Sequence, residues 1–261
     1  MIGISSKGVK MINSQEIKAK LEALKLKSCS ENFDRIMSEA ISKNWTPIEI
    51  FGTLLDMELE HKRQNRMALR YKDSKLSEKP TIDGFDFSHH HSRKKQKAKI
   101  LNLMSLEFIE QKKDVILIGN PGVGKSFLGK CMAYEATMAC KKVLFTTAMD
   151  MINHLIAAEA DKSLLKKLKY YVTPALLVCD EVGYLPMGRE GSNLFFQVIS
   201  ARHEKKSTII TTNLRFADWG NIFGNTTIAT AIADRLVYNS EVLVMGGQSY
   251  RKRYNKKNNK K

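Results

Sequence analysis

Gly119, Asn120, Pro121, Gly122, Val123, Gly124, Lys125 and Ser126 stand in a row and match the pattern G-x-x-x-x-G-K-S in full. Glycines at 119, 122 and 124 let the backbone turn its N–H groups inward toward phosphate oxygens. Lys125 brings a charge for the outer phosphates of a nucleoside triphosphate, and Ser126 a hydroxyl for Mg²⁺. A helix opening at this point adds its positive N-terminal end, and Phe127 completes the candidate nucleotide-binding set. Such a loop needs a second element to hold the metal and orient water. The apolar run from Ala175 ends in paired carboxylates: Asp180 would fix Mg²⁺ through its water shell, and Glu181 would polarise the attacking water. Asn213, closing the run from Thr208, could touch the γ-phosphate or that water. The chemistry these residues imply is hydrolysis of ATP with Mg²⁺ as cofactor.

Elements must hold these residues in register. Asp114 to Ile118 reads as a short apolar strand, followed by the loop and a helix from Lys125 to about Cys140. Further strands are expected at Lys142 to Thr147, Ala175 to Cys179, Thr208 to Thr212 and Glu241 to Met245. Helical runs fall at about Met149 to Ala158, Asp161 to Tyr171, Asn193 to His203 and Ala229 to Tyr238. Strands alternating with helices predict an α/β fold, a parallel doubly wound sheet flanked by helices. Its C-terminal edge would carry the loop, Asp180 and Glu181 together.

The segment before this is different. From Ser14 to about Lys75 it reads as all-helical, with Ile17, Leu21 and Leu24, then Phe33, Met37 and Ile41, at helical spacing. Thr46, Pro47 and Glu49 make a helix start, after which Ile48, Phe51 and Leu55 form an apolar stripe. The expected boundaries are a disordered extension at 1–10, a helical module at 11–75, a linker leading to the nucleotide site at 76–93, the ATPase core at 94–248 and a basic tail at 249–261. After Met245 only 16 residues remain, too few for a packed three-helix lid.

Lys and Arg total 43 against 27 acidic residues, a formal charge of +16, which favours a polyanionic partner. Arg63, Arg66 and Arg70 share a helix face, Arg93, Lys94 and Lys95 form a cluster, and Arg251, Lys252 and Arg253 open the tail. Phosphate contact and an ordinary solvated surface both remain readings of these groups. The four cysteines are scattered without metal-ligand spacing, which fits a reduced, cytoplasmic chain. No run approaches the roughly 18 apolar residues of a membrane span. His89, His90 and His91 are adjacent on irregular chain with no accompanying acid or thiol, a poor metal set.

Asp180-Glu181-Val182-Gly183-Tyr184-Leu185-Pro186 and Thr211-Thr212-Asn213-Leu214, following the glycine loop in this order, resemble AAA+ ATPases of the DnaC/IstB clade. More narrowly, the chain resembles the IstB-type helper ATPases of two-protein bacterial insertion sequences. Thr81 to Phe87 is similar to the segment that precedes that family's first strand, and the likeness runs from about Met11 to Arg253. The resemblance implies ATP sites shared between subunits of a homo-oligomer, with an arginine finger near the end of the helix before the last strand. Arg235 occupies that place; a structural ion pair with Asp234 is the alternative, and Arg202 is the second candidate finger. Arg251 would be a nucleotide sensor or one more tail cation.

The function implied is an ATP-dependent regulator of DNA transposition that assembles on duplex DNA, largely without sequence preference, and recruits or activates a transposase. A replicative helicase loader of the same clade, acting on single strands, and a non-hydrolysing nucleotide-gated scaffold are the alternatives.

Overall fold

The computed structural model describes residues 13–250, so Arg251, Lys252 and Arg253 lie outside the described residues, as do residues 1–12. Two compact units divide at Arg66/Met67.

The N-terminal unit contains α1 (Ser14–Ala23), α2 (Lys27–Lys43) and most of α3 (Pro47–Asp73). The Thr46/Glu49 capping box forms as expected: Glu49 accepts from the Thr46 backbone at 2.7 Å, and its own N–H reaches the Thr46 hydroxyl at 3.3 Å. Cys29, Phe33, Ile36 and Leu54 make a small core, with Ile17 and Leu21 packed against it. The stripe of Ile48, Phe51 and Leu55 is not part of that core; these side chains are 84%, 64% and 39% exposed. The buried face of α3 is the neighbouring one, because it carries Leu54 and the carboxylate of Glu58. Glu58 is buried and accepts from the Ser28 and Cys29 N–H groups, capping α2 where its own N-cap residue, Leu26, has no side-chain acceptor.

The second unit is built on five parallel strands in the order β2-β3-β4-β1-β5: β1 (Asp114–Gly119), β2 (Val143–Thr147), β3 (Leu176–Val182), β4 (Ser207–Thr212) and β5 (Ser240–Met245). Alternation along each strand decides which layer it feeds. Val115, Leu117, Leu176, Val178 and Ile209 face one core, and Ile116, Leu177, Cys179 and Ile210 face the other. Helix α7 (Lys125–Met138) covers the first face. On the second lie α8 (Ala148–Ala160), α10 (Gly188–Arg202) and α12 (Thr226–Tyr238). Shorter helices complete the layers: α4 (His91–Lys95), α5 (Lys97–Leu103), α6 (Glu107–Glu110), α9 (Leu164–Val172) and α11 (Trp219–Phe223). Expected helices and strands recur in the predicted order, with ends shifted by up to five residues at α10, whose glycines and Arg189 hid its first turn.

The stretch from Lys72 onward is more than a spacer. Leu76 and Phe85 are buried in the core beneath α7, and Ile82 and Phe87 pack beside them. The Ser74 carbonyl also accepts from the Phe145 N–H at 2.8 Å.

Candidate active site

The loop between β1 and α7 is shaped by close approach. Gly124 sits in left-handed backbone at φ +100°, and a Cβ there would lie 2.7 Å from the Phe85 ring. Gly119 has no room for one either, because the Met245 carbonyl of β5 occupies that place. Only glycine satisfies both conditions at once. The Lys125 ammonium donates to the carbonyls of Gly119 and Asn120 at 2.7 and 3.0 Å, so its charge is held over the loop. Ser126 follows in the first turn of α7.

Opposite the loop, the register between β3 and β4 shifts between Cys179 and Val182. Glu181 stands at this irregularity with φ +60°, an uncommon conformation for a side-chain-bearing residue. The shift turns Glu181 outward, where it is exposed, while Asp180 stays buried. Thr211 on β4 ties the two together: its hydroxyl donates to Asp180 Oδ1 and accepts from the Glu181 N–H at 3.0 Å. The sequence marks Thr211 as part of a family-like segment but gives it no role, since a threonine in a β-branched run reads as strand filler; its partner acid is visible only once β3 and β4 are paired.

Two hollows meet at the loop. One, of about 440 Å³, is lined by Lys125, Ser126, Glu181, Tyr184, Thr211 and Asn213 among others, so the predicted loop, acid and asparagine do converge. The other, of about 300 Å³, shares Gly122, Lys125 and Ser126 and adds Phe85, Phe127 and Tyr250. A polar hollow and an aromatic one joined across a glycine cradle suit a phosphorylated group with a flat ring attached. The Mg²⁺ set fits as far as it goes: Ser126 lines the first hollow, and Asp180 is buried behind it, bonded to Thr211, which lines it too. Among the described residues no group of three His, Cys, Asp or Glu could hold a metal alone, so an ion there would take its other ligands from water and phosphate.

The arginines divide sharply. Arg235 is half-buried at the end of α12, donating to the Ala231 carbonyl at 2.9 Å and lying 4.7 Å from the Phe196 ring centre. Among the described residues no ion pair joins it to Asp234; both border an open surface hollow with Thr227 and Thr230. Arg202 cannot be a finger. It is 1% exposed, and its guanidinium donates to the carbonyls of Tyr171, Val172, Pro174 and Ser207 and to the Thr208 hydroxyl. Burial depresses its pKa to about 10.

Of the residues expected to meet DNA, Arg63, Arg66, Lys94 and Lys95 are exposed. Arg70 is committed to the Cys140 carbonyl at 3.3 Å. Arg93 is withdrawn altogether: it is 3% exposed and bonded to the Val123 carbonyl of the glycine loop at 2.6 Å. Exposed lysines that were not singled out, Lys162, Lys166 and Lys169, cluster on and before α9 with the exposed Leu165 and Tyr170. The histidines serve the fold. His89 Nε2 lies 3.1 Å from the Gln248 carbonyl with its ring against Tyr250, and His90 crowds Gly247.

A family model, the IstB-like ATP binding protein, matches residues 19–258. The chain belongs to the IstB-like ATP-binding family. It is 34% identical over 237 residues to the insertion sequence IS232 ATP-binding protein of Bacillus thuringiensis subsp. berliner, covering 91% of this chain and 94% of that one. It is 35% identical over 236 residues to the insertion sequence IS21 ATP-binding protein of Pseudomonas aeruginosa, covering 90% and 88%. Among solved structures, the DnaC helicase loader superposes with a TM-score of 0.54 at 24% identity, covering 63% of this chain and 96% of that one. AMPPCP-bound DnaA from Aquifex aeolicus gives 0.56 at 16% identity, covering 71% and 56%. At those identities the likeness speaks for the fold, which is the AAA+ P-loop sheet. Among the described residues of this IstB-like chain, no helix is long and apolar enough to cross a membrane.

Proposed function

We propose that this IstB-like protein hydrolyses ATP and uses it to assemble on duplex DNA as a regulator of transposition, recruiting or activating a transposase. The observation that carries the reading is the single hollow lined by Lys125, Ser126, Glu181 and Asn213, residues from three separate strand ends. In it Lys125 places a fixed positive charge where the β- and γ-phosphates of the substrate would lie, and α7 directs its N-terminal end at them. Glu181, exposed and pinned through its own N–H, takes up the proton of the attacking water, while Asn213 orients that water. Ser126 and Asp180 would hold Mg²⁺, which when bound offsets the charge of the phosphate oxygens. Phe85, Phe127 and Tyr250 offer flat apolar surface to the base.

Arg235, at the rim of α12, would complete this site on a neighbouring subunit of a homo-oligomer. Arg251, from the tail, would act as a nucleotide sensor. DNA would be held through its backbone by Arg63, Arg66, Lys94, Lys95 and the tail residues Arg251, Lys252 and Arg253, with Lys162, Lys166 and Lys169 of the α9 region added. Support for the insertion-sequence role is the family membership and the two relatives named above.

The test is binding of purified protein to duplex and single-stranded DNA with ATP, ADP or no nucleotide, alongside Lys125→Ala. The expected result is stable ATP-dependent binding to duplex that Lys125→Ala loses. Stable loading on single strands alone would overturn the transposition reading in favour of a helicase loader.

A further inference from the structure

Arg93 belongs to none of the surfaces its charge suggested. Its Nη1 donates to the Asp86 carbonyl at 2.9 Å and its Nη2 to the Val123 carbonyl at 2.6 Å. The Phe85 ring centre lies 4.4 Å from the guanidinium carbon and the Tyr250 ring centre 5.4 Å. One planar fork therefore joins three stretches far apart in sequence: the segment before β1, the glycine loop, and the chain after β5. All three border the aromatic hollow beside Gly122 and Gly124. The fold does not fully satisfy the side chain, since its Nε is buried without an acceptor among the described residues. Leaving a buried donor unpaired is costly, so helix packing alone does not account for an arginine here. Nor would a lysine replace it: a single ammonium cannot meet two carbonyls in one plane and lie flat against a ring.

We propose that Arg93 is a positioning residue for the nucleotide, fixing the aromatic wall of the base-side hollow against the glycine loop. The inference rests on the ATP reading of that loop. Arg93 is bonded to the Val123 end of the loop, while Glu181 lines the other hollow. Its loss therefore weakens substrate binding and leaves the hydrolytic step nearly intact.

The experiment measures steady-state ATPase activity and equilibrium binding of a fluorescent ATP analogue by the full chain, for wild type, Arg93→Lys, Tyr250→Leu and the double variant. Arg93→Lys should raise KM and Kd about tenfold with kcat within about twofold of wild type. A purely structural role gives the opposite split, a smaller active fraction with lower kcat and unchanged KM. Tyr250→Leu removes one face of the clamp from a more exposed position and guards against an Arg93 variant that fails to fold. It should raise KM about threefold, and the double variant should fall short of the product of the two effects. Unchanged KM in both single variants, or penalties that simply multiply, would overturn the inference while leaving ATP binding standing. A wild-type chain that binds no ATP would overturn both.

Discussion

The two edges of the sheet each gather charged and hydroxyl groups around β4, yet they are put to different uses. At the N-terminal edge Asp114 Oδ1 accepts from the Thr208 N–H at 2.6 Å, and Arg202 bonds the Thr208 hydroxyl and four carbonyls. At the C-terminal edge Thr211 bonds Asp180 and the Glu181 N–H. The chemistry of the side chains is similar; the surroundings are not. Arg202 spends its donors on protein acceptors and is sealed, whereas Glu181 turns out of the sheet into a hollow shared with the glycine loop. A buried charge whose partners are all internal closes a fold. A polar set that ends in an exposed acid beside the glycine loop is open to a ligand, as the proposed hydrolysis requires.

Substitutions at the two edges should therefore separate stability from turnover. The largest effect is expected from Arg202→Met, which strands several buried carbonyls: a loss on the order of 3 kcal/mol, seen as a lower midpoint in chemical denaturation. The folded fraction should keep the wild-type KM for ATP. A changed KM with unchanged stability would place Arg202 at the nucleotide and dissolve the contrast. Thr211→Val should do the reverse, lowering kcat about tenfold or more through Asp180 and Glu181 with a smaller shift in melting. Turnover equal to wild type would show that the Thr211 bridge is structural only.

The smallest effect concerns pH. Burial raises the Asp114 carboxyl to about 7. Its folded value thus lies above the unfolded one, so its contribution to stability is full below pH about 4 and is lost as pH rises toward about 7. Asp114→Asn should remove that slope. The difference in melting temperature between variant and wild type should grow in the variant's favour between pH 5 and 7. A constant difference across that range would mean the carboxyl is charged throughout.

The C-terminal edge was far more legible than the rest. Its loop is local in sequence, so Gly119 to Ser126 announce themselves, and Asp180 and Glu181 are marked by the apolar run they terminate. The parallel sheet follows from alternating strands and helices, but its order β2-β3-β4-β1-β5, with β1 between β4 and β5, is seen only in the structure. What sequence could not supply depends on pairing between distant segments. Thr211 matters only because β4 lies beside β3, and Arg93 only because the chain around Phe85 folds back to Val123. Periodicity also misjudged the N-terminal unit: Ile48, Phe51 and Leu55 are spaced like a core face, but the buried face of α3 is chosen by Leu54 and the Glu58 cap on α2. Charge was the least informative guide, since it assigned Arg93 to a surface when the side chain is buried against the glycine loop.

Glu181→Gln tests the central claim most directly, because it keeps the shape of the hollow and removes only the base. Single-turnover hydrolysis and ATP affinity should be measured together on the purified chain. The account predicts ATP affinity within about threefold of wild type and hydrolysis slowed by about 10² or more. Glu181→Gln protein that hydrolyses ATP at the wild-type rate would contradict it.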